Sequence, residues 1–177
     1  MPQRIVSELQ ALASETRRKH PEVRQAADAA LRELQRDPDA APEGGVLLQP
    51  VLLACATKTP KVVLLAVALL HRCVLLHAVP DSALPRVVEA LQSLTASPSR
   101  TDIDAQLRIL QTVSALITGY TGITAQLLSS TLMVCFALYE HSRVAVVSST
   151  AAATLRQSIM VVFDKVNDED HALESIQ

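Results

Sequence analysis

Aromatic residues are nearly missing from this chain: they make up 2% of 177 residues, and glycine occurs only 4 times. Sheets draw on aromatic side chains and glycine turns, so this double scarcity favours helices packed on helices. Positive charge is not in excess either. The formal net charge is -2, which argues against a nucleic-acid binder, since those are usually strongly basic. Cysteine is limited to Cys55, Cys73 and Cys135, an odd number set far apart in apolar surroundings. Without a CxxC or Cys/His ligand spacing they offer no zinc site and read as buried free thiols in a reducing compartment. The opening residues MPQRIVSELQ carry charge early and lack the apolar stretch of a secretory signal.

Uninterrupted membrane-length runs are also lacking. Val62 to Val79 is strongly apolar but is broken by His71, Arg72 and His77. Ile109 to Tyr139 contains no Asp, Glu, Lys or Arg, yet Gln111, Gly119, Gly122, Gln126 and many Ser and Thr divide it. A spanning helix needs about 20 predominantly apolar residues, so both stretches read as buried central helices.

Catalytic groupings are absent in the same sense. His20, His71, His77, His141 and His171 are scattered, and HExxH, GxSxG and GxxxxGK[ST] do not occur. Asp164 to Asp170 is rich in carboxylates but lacks the spacing and glycine of a calcium loop. The expectation is a protein without catalytic site, cofactor or metal.

What is present is hydrophobic: 49% of the chain, mainly Leu, Val and Ala. At this length folding hides roughly 70% of the unfolded surface, enough for one continuous core. Spacing predicts eight helices. The first runs near Gln3 to Arg18. Pro21 opens the second, with a stripe of Val23, Ala27, Ala30, Leu31 and Leu34. Residues 37–45, rich in Pro, Gly and Asp, read as a linker. The third covers Val46 to Ala56, and Thr59 and Pro60 begin a fourth over Lys61 to Ala78. The fifth starts at Pro80 to Ser82 and carries Leu84, Val87, Val88, Leu91 and Leu94. After a loop at 97–101, the sixth shows Ile103, Leu107, Leu110, Val113 and Ile117. Gly119 and Gly122 bracket a turn, the seventh runs to about Glu140, and the eighth covers Val144 to Val166 with Leu155, Ile159, Val162 and Val166 inward. Residues 167–177 read as an acidic, frayed tail. Helix pairs begin near Val46, Ser82 and Gly122, a spacing of roughly 35 to 40 residues that is close to the period of armadillo and HEAT units. The expected fold is therefore all-α, an armadillo/HEAT-like stack of about eight antiparallel helices in one domain spanning 1–177; a helical bundle is the alternative.

Charge is unevenly placed. Of 34 charged residues, 15 precede Gly44, so the first helix pair is the wet end of the stack. Arg17, Arg18, Lys19 and His20 form a basic knot with Arg24 a turn beyond. It fits either a complement to a helix C-terminal dipole or a surface for an acidic partner or anionic membrane. Lys58 and Lys61, flanking Pro60, make a smaller basic corner that also fits a plain interhelix turn. The candidate partner- or membrane-binding residues are thus Arg17, Arg18, Lys19, Arg24, Lys58 and Lys61. The uncharged span Ile109 to Tyr139 points to burial between neighbours, with part of its face closing against another copy or domain.

Four segments together resemble a known family: Lys19-His-Pro-Glu-Val23 before an alanine-rich helix, Gln49-Pro-Val-Leu-Leu-Ala-Cys-Ala-Thr-Lys-Thr-Pro-Lys61, Leu110-Gln-Thr-Val113, and Thr150-Ala-Ala-Ala-Thr-Leu-Arg-Gln157 running into Val161-Val-Phe-Asp-Lys-Val166. The chain resembles the N-terminal dimerization and cyclophilin-binding (DCB) domain of the large Arf guanine-nucleotide exchange factors. It is most similar to the monensin-sensitivity (Mon-two) Golgi scaffold branch, because Ala152 stands where the exchange factors usually carry lysine. The resemblance implies an armadillo-like stack and a non-catalytic regulatory and self-association domain of a much larger scaffold in Golgi/endosome vesicle trafficking. It also implies a cytoplasmic protein peripheral on trans-Golgi and endosomal membranes. Implied partners are another copy or a downstream domain of the same protein, an Arf-like small GTPase and a Dopey-type protein. The alternative is a membrane-surface or small-GTPase-binding adaptor module of another HEAT-type transport protein.

Overall fold

The computed structural model describes residues 2–36, 44–96 and 102–174. Among them the chain forms eight α-helices and no strand: α1 (Pro2–Glu15), α2 (Pro21–Arg36), α3 (Gly44–Ala56), α4 (Pro60–Leu75), α5 (Leu84–Thr95), α6 (Ile103–Gly119), α7 (Ala125–His141) and α8 (Ala145–Glu174). A 3-10 turn over Asp81–Ala83 leads into α5.

Local chemistry sets most boundaries. Pro21 and Pro60 open α2 and α4, where the missing N–H is one the first turn leaves without an intrahelical partner. At α6 the Asp102 carboxylate accepts from the Asp104 N–H at 2.8 Å, and at α7 the Thr124 hydroxyl accepts from the Leu127 N–H at 3.3 Å; each satisfies an orphan donor. α4 stops short of the expected Ala78 because His77 takes the left-handed conformation (φ 52), which lets the Ala78 N–H reach back to the Cys73 carbonyl at 2.9 Å. The turn after α6 differs from the sequence expectation in its cause. Neither Gly119 nor Gly122 has a positive φ. A β-carbon at Gly119 would lie 3.2 Å from the His77 ring, which itself packs on Tyr120 with centroids 5.2 Å apart, and one at Gly122 would run into the Asp81 carboxylate. A side chain at either position would have the His77 ring or the Asp81 carboxylate give way.

The helices build two layers. In one, α1 lies beside α4, α4 beside α6 and α6 beside α8; in the other, α2, α3, α5 and α7 follow in order. Contacts α1–α2, α3–α4, α6–α7 and α7–α8 join the layers. This is an all-α stack of the armadillo/HEAT-like kind. Lys61 to Glu15 and Arg72 to Glu8, both at 2.7 Å, tie α1 antiparallel to α4. Tyr120 and Val74, whose hydroxyl and carbonyl are 3.4 Å apart, bring the C-terminal ends of α6 and α4 together.

α4 is central. Val62, Val63, Ala66, Val67, Leu69, Leu70, Cys73 and Val74 are all buried, because α1, α3 and α6 cover it on three sides. The charge-free span Ile109 to Tyr139 splits into α6 and α7 at residues 120–124, so neither of the apolar stretches singled out in the sequence forms a membrane-length helix. Among the described residues one helix segment, Ala145–Asn167 of α8, is long and apolar enough to cross a membrane.

Several boundaries and faces depart from the sequence reading. α1 ends at Glu15, leaving Arg17 to Lys19 in a turn. Gly44 and Gly45, read as linker, begin α3; residues 37–43, 97–101 and 175–177 lie outside the described residues. The backbone read as a frayed tail from 167 continues as helix to Glu174, since nothing between carries a proline or glycine to stop it. Ile103, Ile159 and Val166, expected inward, are 43%, 48% and 47% exposed among the described residues.

His71 on α4 makes the fold sensitive to acid. Its Nδ1 is buried without a hydrogen-bond partner. Burial, then the nearby Arg108 and Arg72 guanidinium groups, hold its pKa below the ordinary 6.5. The unfolded chain binds that proton more readily, so this stability is present above pH 6.5 and is lost as pH falls below it. In His71→Gln the decline in Tm between about pH 7.5 and about pH 5.5 is expected to be shallower than in the parent chain. Equal declines would remove His71 as the cause.

Candidate interaction surfaces

Two surfaces carry side chains that the core does not use. The first is the end of the stack where α1 turns into α2 and α3 into α4. Thr16 seals the end of α1: its hydroxyl donates to the Leu12 carbonyl at 2.7 Å, and the His20 N–H returns to the Thr16 carbonyl at 3.1 Å. The intervening Arg17, Arg18 and Lys19 therefore project outward and are exposed. Across from them Lys58 holds a left-handed φ of 53 at the close of α3, a conformation unusual for a side chain with a β-carbon. A hydrogen bond of 3.2 Å between His20 Nε2 and Thr59 Oγ1 joins the two turns.

A cleft of about 600 Å³ here is lined by Ser14, Glu15, Arg17, Arg18, Lys19, His20, Thr59 and Val62; Lys58 and Lys61 do not line it. The six candidate cations divide here. Arg24 pairs with Asp28 on its own helix at 3.5 Å, outside the cleft, and Lys61 pairs with Glu15 at 2.7 Å. Arg17, Arg18, Lys19 and Lys58 hold no ion pair among the described residues. Nor do the three cations of the first turn hydrogen-bond the last carbonyls of α1, so they act on its dipole at most through space. Of the two basic groups read from the sequence, the cleft takes in Arg17, Arg18 and Lys19 but not Lys58 or Lys61.

The second surface is the open side of the last helix pair. α7 packs on α5, α6 and α8, and α8 on α6 and α7. Beyond those contacts, α7 presents Met133, Phe136 and Tyr139, 54%, 49% and 52% exposed, and α8 presents Ile159, Met160, Phe163 and Val166, with Met160 and Phe163 at 67% and 65%. Phe136 and Phe163 are the only two phenylalanines in the chain, and both face outward. The sequence signal was the unbroken Ile159-Met-Val-Val-Phe163 run, apolar on more faces than one neighbouring helix can cover.

Among the described residues no group of three or more His, Cys, Asp or Glu is placed to hold a metal ion. Cys55, Cys73 and Cys135 are free and buried, and burial pushes each thiol up to about 12, with Glu8 adding to the effect at Cys73. A protonated, buried thiol is a poor nucleophile and a poor metal ligand.

The family model described as "DCB: Mon2/Sec7/BIG1-like, dimerisation and cyclophilin-binding domain" matches residues 1–170. This chain belongs to that DCB family. Among individual proteins, it is 30% identical over 172 residues to the Protein MON2 homolog of Homo sapiens and 28% identical over 180 residues to Protein MON2 of Saccharomyces cerevisiae, matches that cover 93% and 96% of the chain. It is also 28% identical over 134 residues, 68% of the chain, to Brefeldin A-inhibited guanine nucleotide-exchange protein 1 of Rattus norvegicus. The chain spans about a tenth of the length of the MON2 relatives. The DCB match and the helical stack agree in extent: 1–170 runs from α1 through most of α8.

Proposed function

We propose that this DCB domain is a non-catalytic regulatory and self-association module of a large scaffold related to Arf exchange factors, acting in Golgi and endosome vesicle trafficking. The observation that carries it is the set of exposed large apolar side chains on α7 and α8, Met133, Phe136, Met160 and Phe163. Exposed apolar patches of this kind mark contact sites, and aromatic and methionine side chains are the ones enriched there. The family description, which includes dimerisation and cyclophilin binding, supports a second copy on that face. An Arf-like small GTPase, a Dopey-type protein and a cyclophilin are the candidate heterologous partners. Peripheral residence on trans-Golgi and endosomal membranes follows from the same reading.

Light scattering across a wide concentration range tests it. The chain is expected to approach twice its monomer mass, and Met160→Glu/Phe163→Glu to remain monomeric with unchanged helicity. A strict monomer at the highest concentration would overturn self-association; a dimer that survives both substitutions would move the interface off α8.

A further inference from the structure

The basic cleft has no part in the α7–α8 contact, because it is built by the α1–α2 and α3–α4 turns. We infer that it is a docking site for an acidic peptide segment of a partner protein. The cations are the first argument. Arg17, Arg18 and Lys19 stand consecutively on one wall and are unpaired among the described residues, while the cations that do have carboxylate partners, Arg24 and Lys61, hold theirs close. Three adjacent like charges repel one another, and an anionic ligand relieves that repulsion.

The helix ends themselves balance in number, since α1 and α3 end in the two turns where α2 and α4 begin. Thr59 stands at the N-cap of α4 but makes no side-chain cap, its hydroxyl being engaged with His20 instead. Pro60 at the start of α4 carries no N–H and the Val63 N–H is bonded to the Thr59 carbonyl at 2.9 Å, so the side-chain cations rather than backbone donors carry the site.

Shape and surroundings select the class of ligand. A volume of about 600 Å³ is in the range of clefts that hold a compact segment. A bilayer-binding face combines basic residues with exposed apolar ones that enter the lipid. Among the described residues, no large hydrophobic side chain in either turn is exposed; the exposed ones lie on α4's far end, α6, α7 and α8. The arginines fit peptide carboxylates through paired N–H donors. Glu15 also lines the cleft, and Lys61 matches its charge at 2.7 Å, which leaves Arg17, Arg18 and Lys19 as the unmatched charges there.

Fluorescence anisotropy with a labelled Glu/Asp-rich peptide, beside its Gln/Asn counterpart of equal length, tests the inference on the whole chain. The acidic peptide is expected to bind, the neutral one not, and affinity to fall as salt rises from about 50 to about 300 mM. Arg17→Glu/Arg18→Glu/Lys19→Glu is expected to weaken binding at least about tenfold. A charge-matched control, Arg32→Glu/Arg36→Glu/Arg156→Glu, all exposed and outside the cleft, should stay within about twofold. Equal losses in the two triple variants would mean general electrostatics and overturn the site, as would equal binding of the two peptides. Sedimentation with phosphatidylserine vesicles runs alongside. Vesicle binding that needs Arg17 to Lys19, with no peptide binding, would replace the peptide by a membrane surface.

Discussion

Leu70→Ala is expected to lower stability by about 3 kcal/mol, the middle of the range for emptying a well-packed core site. Leu70 is fully buried on α4, the helix that α1, α3 and α6 enclose. Rigid helices on three sides limit collapse into the vacated volume, so the cavity term adds to the lost transfer energy. For a domain of this size the loss lowers Tm by roughly 6–12 °C, read by thermal melting followed by circular dichroism. Leu70→Met, which nearly conserves volume, should cost less than about 1.5 kcal/mol. A Leu70→Ala chain that melts with the parent would mean that α4 is not the packed centre of the stack.

The second large effect concerns Lys165. Its Nζ donates to the carbonyl of Ile117 at 2.7 Å and to that of Tyr120 at 3.2 Å. These carbonyls lie in the last turn of α6 and just beyond it, where helical acceptors lack intrahelical donors and the dipole is negative. One ammonium thus satisfies two acceptors and anchors the later half of α8 to α6. Hydrogen bonds from a charged donor contribute about 1.5–3 kcal/mol, and partial exposure of the site places Lys165→Met near about 2 kcal/mol. The loss should be local as well as global. Amide exchange is expected to accelerate in α8 beyond about residue 158 and at the end of α6, with α1 to α4 little changed. Uniform acceleration would show that Lys165 contributes only general stability. Met160 and Phe163 sit on this anchored half, so the substitution should also weaken self-association through the α7–α8 face.

The helices were readable because their causes are local. The four-three spacing in α6, Pro21 and Pro60 at helix starts, and the dense apolar pattern of α4 each act within a few residues of chain. The DCB family was readable too, since its motifs are linear. Several features escaped that logic. Ile159 and Val166 obey helical periodicity and still point outward, because periodicity says which residues share a face and not which face finds a neighbour. Gly119 and Gly122 looked like flexible turn residues, but neither has a positive φ and each is closely approached by a side chain, the His77 ring or the Asp81 carboxylate.

The basic residues divide along the same line. Charge and exposure of the Arg17–Lys19 run follow from composition and from its place between two helices. Arg24 finds Asp28 one turn along its own helix, but the pairing of Lys61 with Glu15 and the meeting of His20 with Thr59 across 39 positions of sequence required the first two helix pairs to pack together. Local chain chemistry, acting over one or two helical turns, accounts for the all-α class and for the wet first pair. The cleft and the uncovered α7–α8 face arise only from packing, since both are made by residues far apart in sequence or by the absence of a covering neighbour.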